Sequence, residues 1–252
     1  MGLALDLARA LDPVKFAPAI GMVPDAWQAR VLRSSSGRLL LNCCRQSGKS
    51  TTAALIAVHT AVYEPGSLVL LLSPSLRQST ELFKKSLVIY RALGRPVLAE
   101  TENLLSIQLE NGSRLLSLPS SESTVRGYSG VRLLIVDEAS RVEDSLYASL
   151  RPTLAVSSGR ILAMSTPHGA RGWWWEAWTS GGSIWERYQV TAPDVPRISP
   201  AFLEEERGVL GDWLWRQEYF GEFVSPIDAI FDSGAVDAAI RDTIEPLNLD
   251  WR

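Results

Sequence analysis

The apolar positions of this 252-residue chain fall into short unbroken runs separated by stretches of helical spacing. Leu39 to Asn42, Leu68 to Leu72, Leu133 to Glu138 and Arg160 to Met164 are the runs, dominated by Leu, Ile and Val. Runs of this kind mark strands covered on both faces of a parallel sheet. Between them the spacing predicts helices. One starts at Pro24-Asp25 and runs to about Arg33, another spans Thr51 to Tyr63 and stops at Pro65-Gly66, and two more cover Leu82–Leu93 and Ser145–Leu154. Strands alternating with helices place the chain in the α/β class with a mainly parallel sheet flanked by helices.

Two stretches break that alternation. Leu104 to Leu109 and Arg114 to Leu118 flank Asn111-Gly112, a strong short-range hairpin signal, and read as a local β insert of about 104–118. Beyond Gly172 the character changes. Trp173, Trp174, Trp175 and Trp178 make an aromatic helix, Ile184 to Thr191 a strand, and Pro200–Leu210 and Asp212–Phe220 two further helices. Residues 1–172 are expected as a core, 173–225 as a small subdomain, and 226–252, with Asp228, Asp232, Asp237 and Asp242, as a linker.

Composition narrows the class little. Lys and Arg number 25 against 28 Asp and Glu, a net charge of −3, which excludes a globally basic nucleic-acid coat but leaves room for a local basic stripe. The cysteines are Cys43 and Cys44, too few for a disulfide framework or a four-cysteine zinc site, so a reducing compartment is expected. Met1 to Ala19 has no signal-peptide core, and no stretch approaches the roughly 18 apolar residues of a membrane span.

The chemistry is concentrated where the first strand meets the second helix. Residues 43–50, Cys-Cys-Arg-Gln-Ser-Gly-Lys-Ser, follow the phosphate-cradling pattern G-x-x-x-x-G-K-[ST] with Cys43 in place of the first glycine. Gly48 lets the backbone approach phosphates, and successive N–H groups of Gln46, Ser47, Gly48 and Thr51 can form an anion nest. Lys49 supplies a point charge to the β/γ-phosphates, and the Ser50 hydroxyl can ligate Mg²⁺. The run ending in Asp137-Glu138 complements it. An aspartate there can hold Mg²⁺, and the following glutamate can orient a water, which favours hydrolysis of ATP or GTP over kinase chemistry. Arg45 adds a cation to the cradle; a solvated loop arginine is the plain alternative.

Other residues carry two readings each. Arg126, on a Ser-rich loop before Gly127, fits either a surface arginine or an arginine finger reaching a neighbouring subunit. Gln28 either reads an adenine edge or closes a capping box with Asp25. Ser165-Thr166 either sense a γ-phosphate or cap a strand end. The tryptophans of 173–178 suggest core packing rather than base stacking, because Trp174 and Trp178 share a helical face. His59 and His168 stand alone, and neither cysteine has a nucleophile's surroundings.

Taken together, Trp27-Gln28, Cys44 to Ser50, Arg126-Gly127, Leu134 to Ala139, Ser165-Thr166-Pro167-x-Gly169 and Arg216-Gln217-Glu218-Tyr219-x-Gly221-Glu222-Phe223 resemble the ATPase domain of the large terminase subunit. That family is the DNA-packaging motor of tailed double-stranded DNA bacteriophages. The resemblance implies a P-loop NTPase of the additional-strand, catalytic-glutamate type, with the 160–164 strand between those of the two nucleotide motifs. It implies ATP and Mg²⁺ as ligands and Gln28 at the adenine. Lys49 would serve the phosphates, Ser50 and Asp137 the metal, and Glu138 would be the catalytic carboxylate. Ser165-Thr166 would be the coupling motif, Arg126 the finger acting in trans, and 173–225 the lid. Its implied partners are double-stranded DNA, a portal protein, a small terminase subunit and further copies of the chain in a ring, a pentamer on the capsid. The implied location is the host bacterial cytoplasm, with transient docking on the procapsid. The family continues into a ribonuclease-H-like nuclease domain. This chain stops at Arg252, so no endonuclease activity is expected from it. Arg114, Lys84 and Lys85 are the basic residues nearest the hairpin that could meet DNA. A helicase-like translocase and a nucleotide-gated assembly module that scarcely hydrolyses ATP remain as alternatives.

Overall fold

The computed structural model describes residues 2–119 and 127–224. Eight strands among them form one sheet: β1 Arg38–Cys43, β2 Leu68–Ser73, β3 Ala99–Glu102, β4 Ser106–Leu109, β5 Arg114–Pro119, β6 Val131–Asp137, β7 Arg160–Ser165 and β8 Glu186–Val190. Their order is β3-β4-β5-β2-β6-β7-β1-β8. From β5 to β8 every neighbouring pair is parallel, and β4 and β3 close one edge antiparallel. The 160–165 strand lies between β1 and β6, as the resemblance implies.

The unbroken apolar runs have a direct cause. Side chains alternate between faces along a strand. Leu39, Leu41, Val69, Leu71, Leu133, Ile135, Leu162 and Met164 enter one core, under helices α2 Ala26–Arg33, α3 Lys49–Tyr63 and α4 Leu76–Ala92. Leu40, Leu70, Leu72, Leu134, Val136, Ile161 and Ala163 enter a second core on the opposite face. There they meet α5 Asp144–Leu150 and α6 Gly172–Thr179, whose Trp173 and Trp174 are buried. Trp174 stacks on Trp178 with ring centroids 6.4 Å apart, so these rings serve packing.

The structure adds three features to the expectations from sequence. The hairpin of about 104–118 joins the main sheet, because β5 pairs with β2 along its whole length and carries β4 and β3 outward as the sheet edge. Residues 173–225 likewise contribute to that sheet, since β8 lies beside β1; α7 Pro200–Leu210 and α8 Asp212–Phe220 follow β8. Finally, α4 starts six residues earlier than its apolar spacing suggests. Ser75 caps it by accepting from the Gln78 N–H, and the first turns expose Arg77, Gln78 and Glu81. An exposed helical turn carries no apolar stripe to read.

The N-terminal residues, read from the sequence only as an alternation of charged and apolar positions, form helix α1 Leu3–Leu11 and a 3₁₀ segment Pro13–Ile20. Phe16 is fully buried beside His59 and Tyr63. The His59 ring nitrogen meets the Arg9 and Ala10 carbonyls, and the Tyr63 hydroxyl donates to the Asp6 carboxylate at 2.8 Å. His59 therefore fastens α1 to α3. Among the described residues no helix is long and apolar enough to cross a membrane.

Candidate active site

The parallel strands point their carboxyl ends toward one edge of the sheet, where ligands of α/β proteins bind. Three such ends build the site: β1 leads into the loop 44–48 and α3, β6 ends at Asp137, and β7 ends at Ser165. Between them lies a cavity of about 670 Å³ lined by Arg45 through Thr51, Gln78, Lys85, Glu138, Arg141, Thr166, Pro167 and Glu218.

The missing glycine is explained by where Cys43 falls. It is the last residue of β1, paired with Val190 of β8, fully buried, and its carbonyl accepts from the Thr166 hydroxyl at 2.9 Å. A strand position needs no left-handed backbone. The loop instead takes positive φ at Gln46 (59°) and Gly48 (94°). The left-handed backbone at Gly48 favours glycine, and a Cβ there would stand 2.8 Å from the Gln28 side-chain nitrogen, so that the amide end would have to shift. Burial pushes the thiols of Cys43 and Cys44 up, to about 12 and about 11, which keeps both protonated and unreactive.

Lys49 opens α3 and reaches across the cavity to Glu138, 3.3 Å away. Burial alone would lower the Lys49 pKa, but Glu138 and Asp137 outweigh it and hold the ammonium charged. Asp137 is 7% exposed, and one of its oxygens accepts from the Glu138 N–H at 3.0 Å. Desolvation raises its pKa to about 6, against the pull of Lys49. Glu138 itself sits in the left-handed region (φ 50°, ψ 44°), uncommon for a residue with a side chain and typical of functional turns.

The turn after Glu138 ties the strand ends together. The Ser140 hydroxyl lies 2.7 Å from the Ser165 hydroxyl and donates to the Thr166 carbonyl at 2.9 Å. Thr166 in turn donates to Cys43. Ser165 and Thr166 thus join β7, the start of the P-loop and the turn after β6, a role that strand-end capping alone does not describe.

Arg45 behaves differently from the free cradle cation expected. Its side chain pairs with Glu218 of α8, and its backbone N–H donates to the Glu218 carbonyl at 3.0 Å. Gln28 accepts from the Asp25 N–H at 2.9 Å, the capping geometry, while its amide nitrogen stands over Gly48. Lys84 pairs with Glu81, whereas Lys85 lines this cavity rather than a surface by the hairpin. Arg126 lies outside the described residues.

Sequence reasoning passed over Arg197. It holds Asp25 through both guanidinium nitrogens, at 2.9 and 2.8 Å, and donates to the Ser47 carbonyl at 3.1 Å, locking the α2 start to the P-loop. No local pattern announces a residue that acts across 172 positions. Ser140, Arg141 and Gln78 were equally silent, as ordinary polar residues beside a motif.

These features coincide with a described family. The model of the terminase large subunit, T4likevirus-type, N-terminal, matches residues 40–236. The chain belongs to this terminase family. It is 27% identical over 253 aligned residues to the large terminase subunit of Thermus virus P23-45, covering 86% of this chain and 52% of that protein. It is 28% identical over 232 residues to that of Escherichia phage T5, with the same two shares. The terminase chain thus spans about half the length of the curated relatives it matches. The large terminase ATPase domain of Thermus phage P74-26 superposes with a TM-score of 0.72 at 24% identity, covering 83% of this chain and 98% of that one. The large terminase of the thermophilic bacteriophage D6E, in complex with ADP, gives 0.65 at 12% identity over 79% of this chain and 53% of that one. The fold is therefore that of large-terminase ATPase domains.

Proposed function

We propose that this terminase domain hydrolyses ATP and couples the hydrolysis to translocation of double-stranded DNA into a procapsid. The observation that carries the reading is the Lys49–Glu138 pair, which sets a phosphate-binding lysine and a water-activating carboxylate on facing walls of one cavity. The solved relatives that hold ADP and ATP-gamma-S support a nucleotide as the occupant.

In this reading the triphosphate displaces Glu138 from Lys49, because it offers the ammonium more negative charge at the same place. Glu138, released but fixed by its backbone turn, accepts the proton of the attacking water. Gln46, Ser47 and Gly48 present their N–H groups to the β-phosphate, and Thr51 stands at the start of α3. Ser50 and Asp137 are hard oxygen donors suited to Mg²⁺, and among the described residues no cluster of three or more acidic, His or Cys side chains forms a full metal cage. Ser50 and Asp137 would hold that ion, which would supply positive charge against the phosphates. It would also favour the ionised form of Asp137, which burial now opposes.

Coupling follows the same contacts. Ser140, Ser165 and Thr166 carry a change at Glu138 to β7 and β1. The Arg45–Glu218 pair carries it from the P-loop to α8, so α7 and α8 act as the moving part of the lid while β8 stays with the sheet. Arg126 acts as the trans finger of a neighbouring subunit in a homo-oligomeric ring. Portal protein, small terminase subunit and the host cytoplasm complete the reading through family membership.

The decisive test is ATP turnover with and without DNA, for the wild type and Glu138→Gln. Turnover by the wild type and a loss of about 10² or more in the variant, with nucleotide binding retained, are expected. A wild type that binds ATP yet releases no phosphate at any protein or DNA concentration would make it an assembly module. Separation of a forked duplex would make it a helicase. Mixing Arg126→Ala with Glu138→Gln protein should restore part of the turnover; no recovery in assembled rings removes the finger.

A further inference from the structure

Beside Glu138 stands an arginine with no role so far. Arg141 closes the 3₁₀ turn Ala139–Arg141, its N–H donating to the Glu138 carbonyl at 2.9 Å. Arg141 lines the P-loop cavity together with Lys49, Glu138 and Thr166, at its junction with two neighbouring cavities beside His168. Among the described residues four cations line the P-loop cavity: Arg45, Lys49, Lys85 and Arg141. Lys49 is paired with Glu138 and Arg45 with Glu218. Among the described residues neither Lys85 nor Arg141 has an acidic partner within ion-pair distance.

The cavity has two distinguishable ends. Gln28 and Arg197 crowd Gly48 and Ser47 at one. Glu138, Thr166 and Pro167 mark the other, where the water-activating carboxylate must find the terminal phosphate. Arg141 shares the turn of Glu138 and so belongs to the second end, whereas Lys85 enters from α4. A guanidinium there is permanently charged and presents a planar fork that matches phosphate oxygens two at a time.

We propose that Arg141 contacts the terminal phosphate of the bound nucleoside triphosphate from within its own subunit, as a catalytic residue distinct from Arg126. This rests on the cavity being a nucleoside-triphosphate site. In the step it serves, the water oxygen bonds to the γ-phosphorus and the bond from that phosphorus to the β–γ bridging oxygen breaks. The bond's electron pair leaves with the diphosphate, and the water proton passes to Glu138. Arg141 holds the equatorial oxygens through the change and is anchored for it by Ser140, whose hydroxyl is bonded to Ser165 and Thr166.

The test measures Mg²⁺-dependent affinity for ATP-gamma-S and for ADP in the wild type, Arg141→Ala, Arg141→Lys and Lys49→Ala, with melting temperatures for each. Arg141→Ala should weaken the triphosphate about tenfold or more while ADP binding and melting stay at wild-type values. Arg141→Lys should recover part of the difference, since charge survives and the fork does not. An unchanged ratio of the two affinities in Arg141→Ala, or an equal loss of both nucleotides, overturns the proposal. A wild type that binds neither nucleotide better than Lys49→Ala overturns the nucleotide site itself and the proposal with it.

Discussion

Asp137 illustrates how a single buried carboxylate can oppose stability while serving chemistry. Unfolded, it titrates near 3.8; folded, burial lifts it to about 6. The folded state thus binds the proton more tightly, and the stability this confers is present below the lower value and is lost as pH rises through about 6. Without nucleotide and Mg²⁺, Asp137→Asn should therefore stabilise the protein at pH 8 by about 1–3 kcal/mol, and most of that gain should be gone by pH 4. Denaturant titrations at the two pH values check this, and an equal gain at both would show that charge burial is not its origin. Gly48→Ala should act in the opposite direction. The positive φ and the approach of Gln28 both resist a methyl group, so a loss of roughly 1–3 kcal/mol and of nucleotide binding is expected by thermal melting and titration. Both residues were legible, since motif spacing alone singled out Gly48 and Asp137. Arg197 and Arg141 were not, because their roles depend on the turns that the chain makes far from any motif.

At the scale of elements, the link between strand ends is made by hydroxyls rather than charges. Ser140→Ala removes the bond to Ser165 and the one to the Thr166 carbonyl. Each such bond contributes roughly 0.5–1.5 kcal/mol, so melting should fall modestly. ATP turnover should fall by a larger factor than nucleotide affinity, because Glu138 loses its alignment. Equal falls in both would reduce Ser140 to a structural residue. The same scale shows what apolar pattern reveals and what it hides. Continuous runs announced β1, β2, β6 and β7, whose two faces are both covered. They could not tell a hairpin standing apart from one sewn into the sheet, as β4 and β5 are. Strand pairing is a relation between distant segments, and Arg114 to Pro119 reads the same in either place. Edge strand β3, with Glu100, Thr101 and Glu102 exposed, lacked any apolar signal at all. The exposed turns at the start of α4 escaped for the same reason.

For the whole molecule, the most consequential arrangement is the position of β1. Its neighbours are β7 and β8, which come from residues 160–165 and 186–190. The strand that presents the P-loop is thus translated early yet finds both its partners only after more than half of the chain exists. Contacts between such distant segments form slowly, since a long loop must close before any bond rewards it. During synthesis, β2 and β5 can pair long before β1 has anything to pair with. The cradle is therefore expected among the last parts of the protein to become native, leaving a nascent or truncated chain with a phosphate motif but no phosphate site. Chains ending before residue 160 should not bind ATP-gamma-S even where their hairpin folds, whereas chains ending after α8 should; binding by the shorter series would show that β1 can be held in place without its late partners. On the proposed reading, the order of strands would withhold ATP from the polypeptide until the parts that answer its hydrolysis have been made.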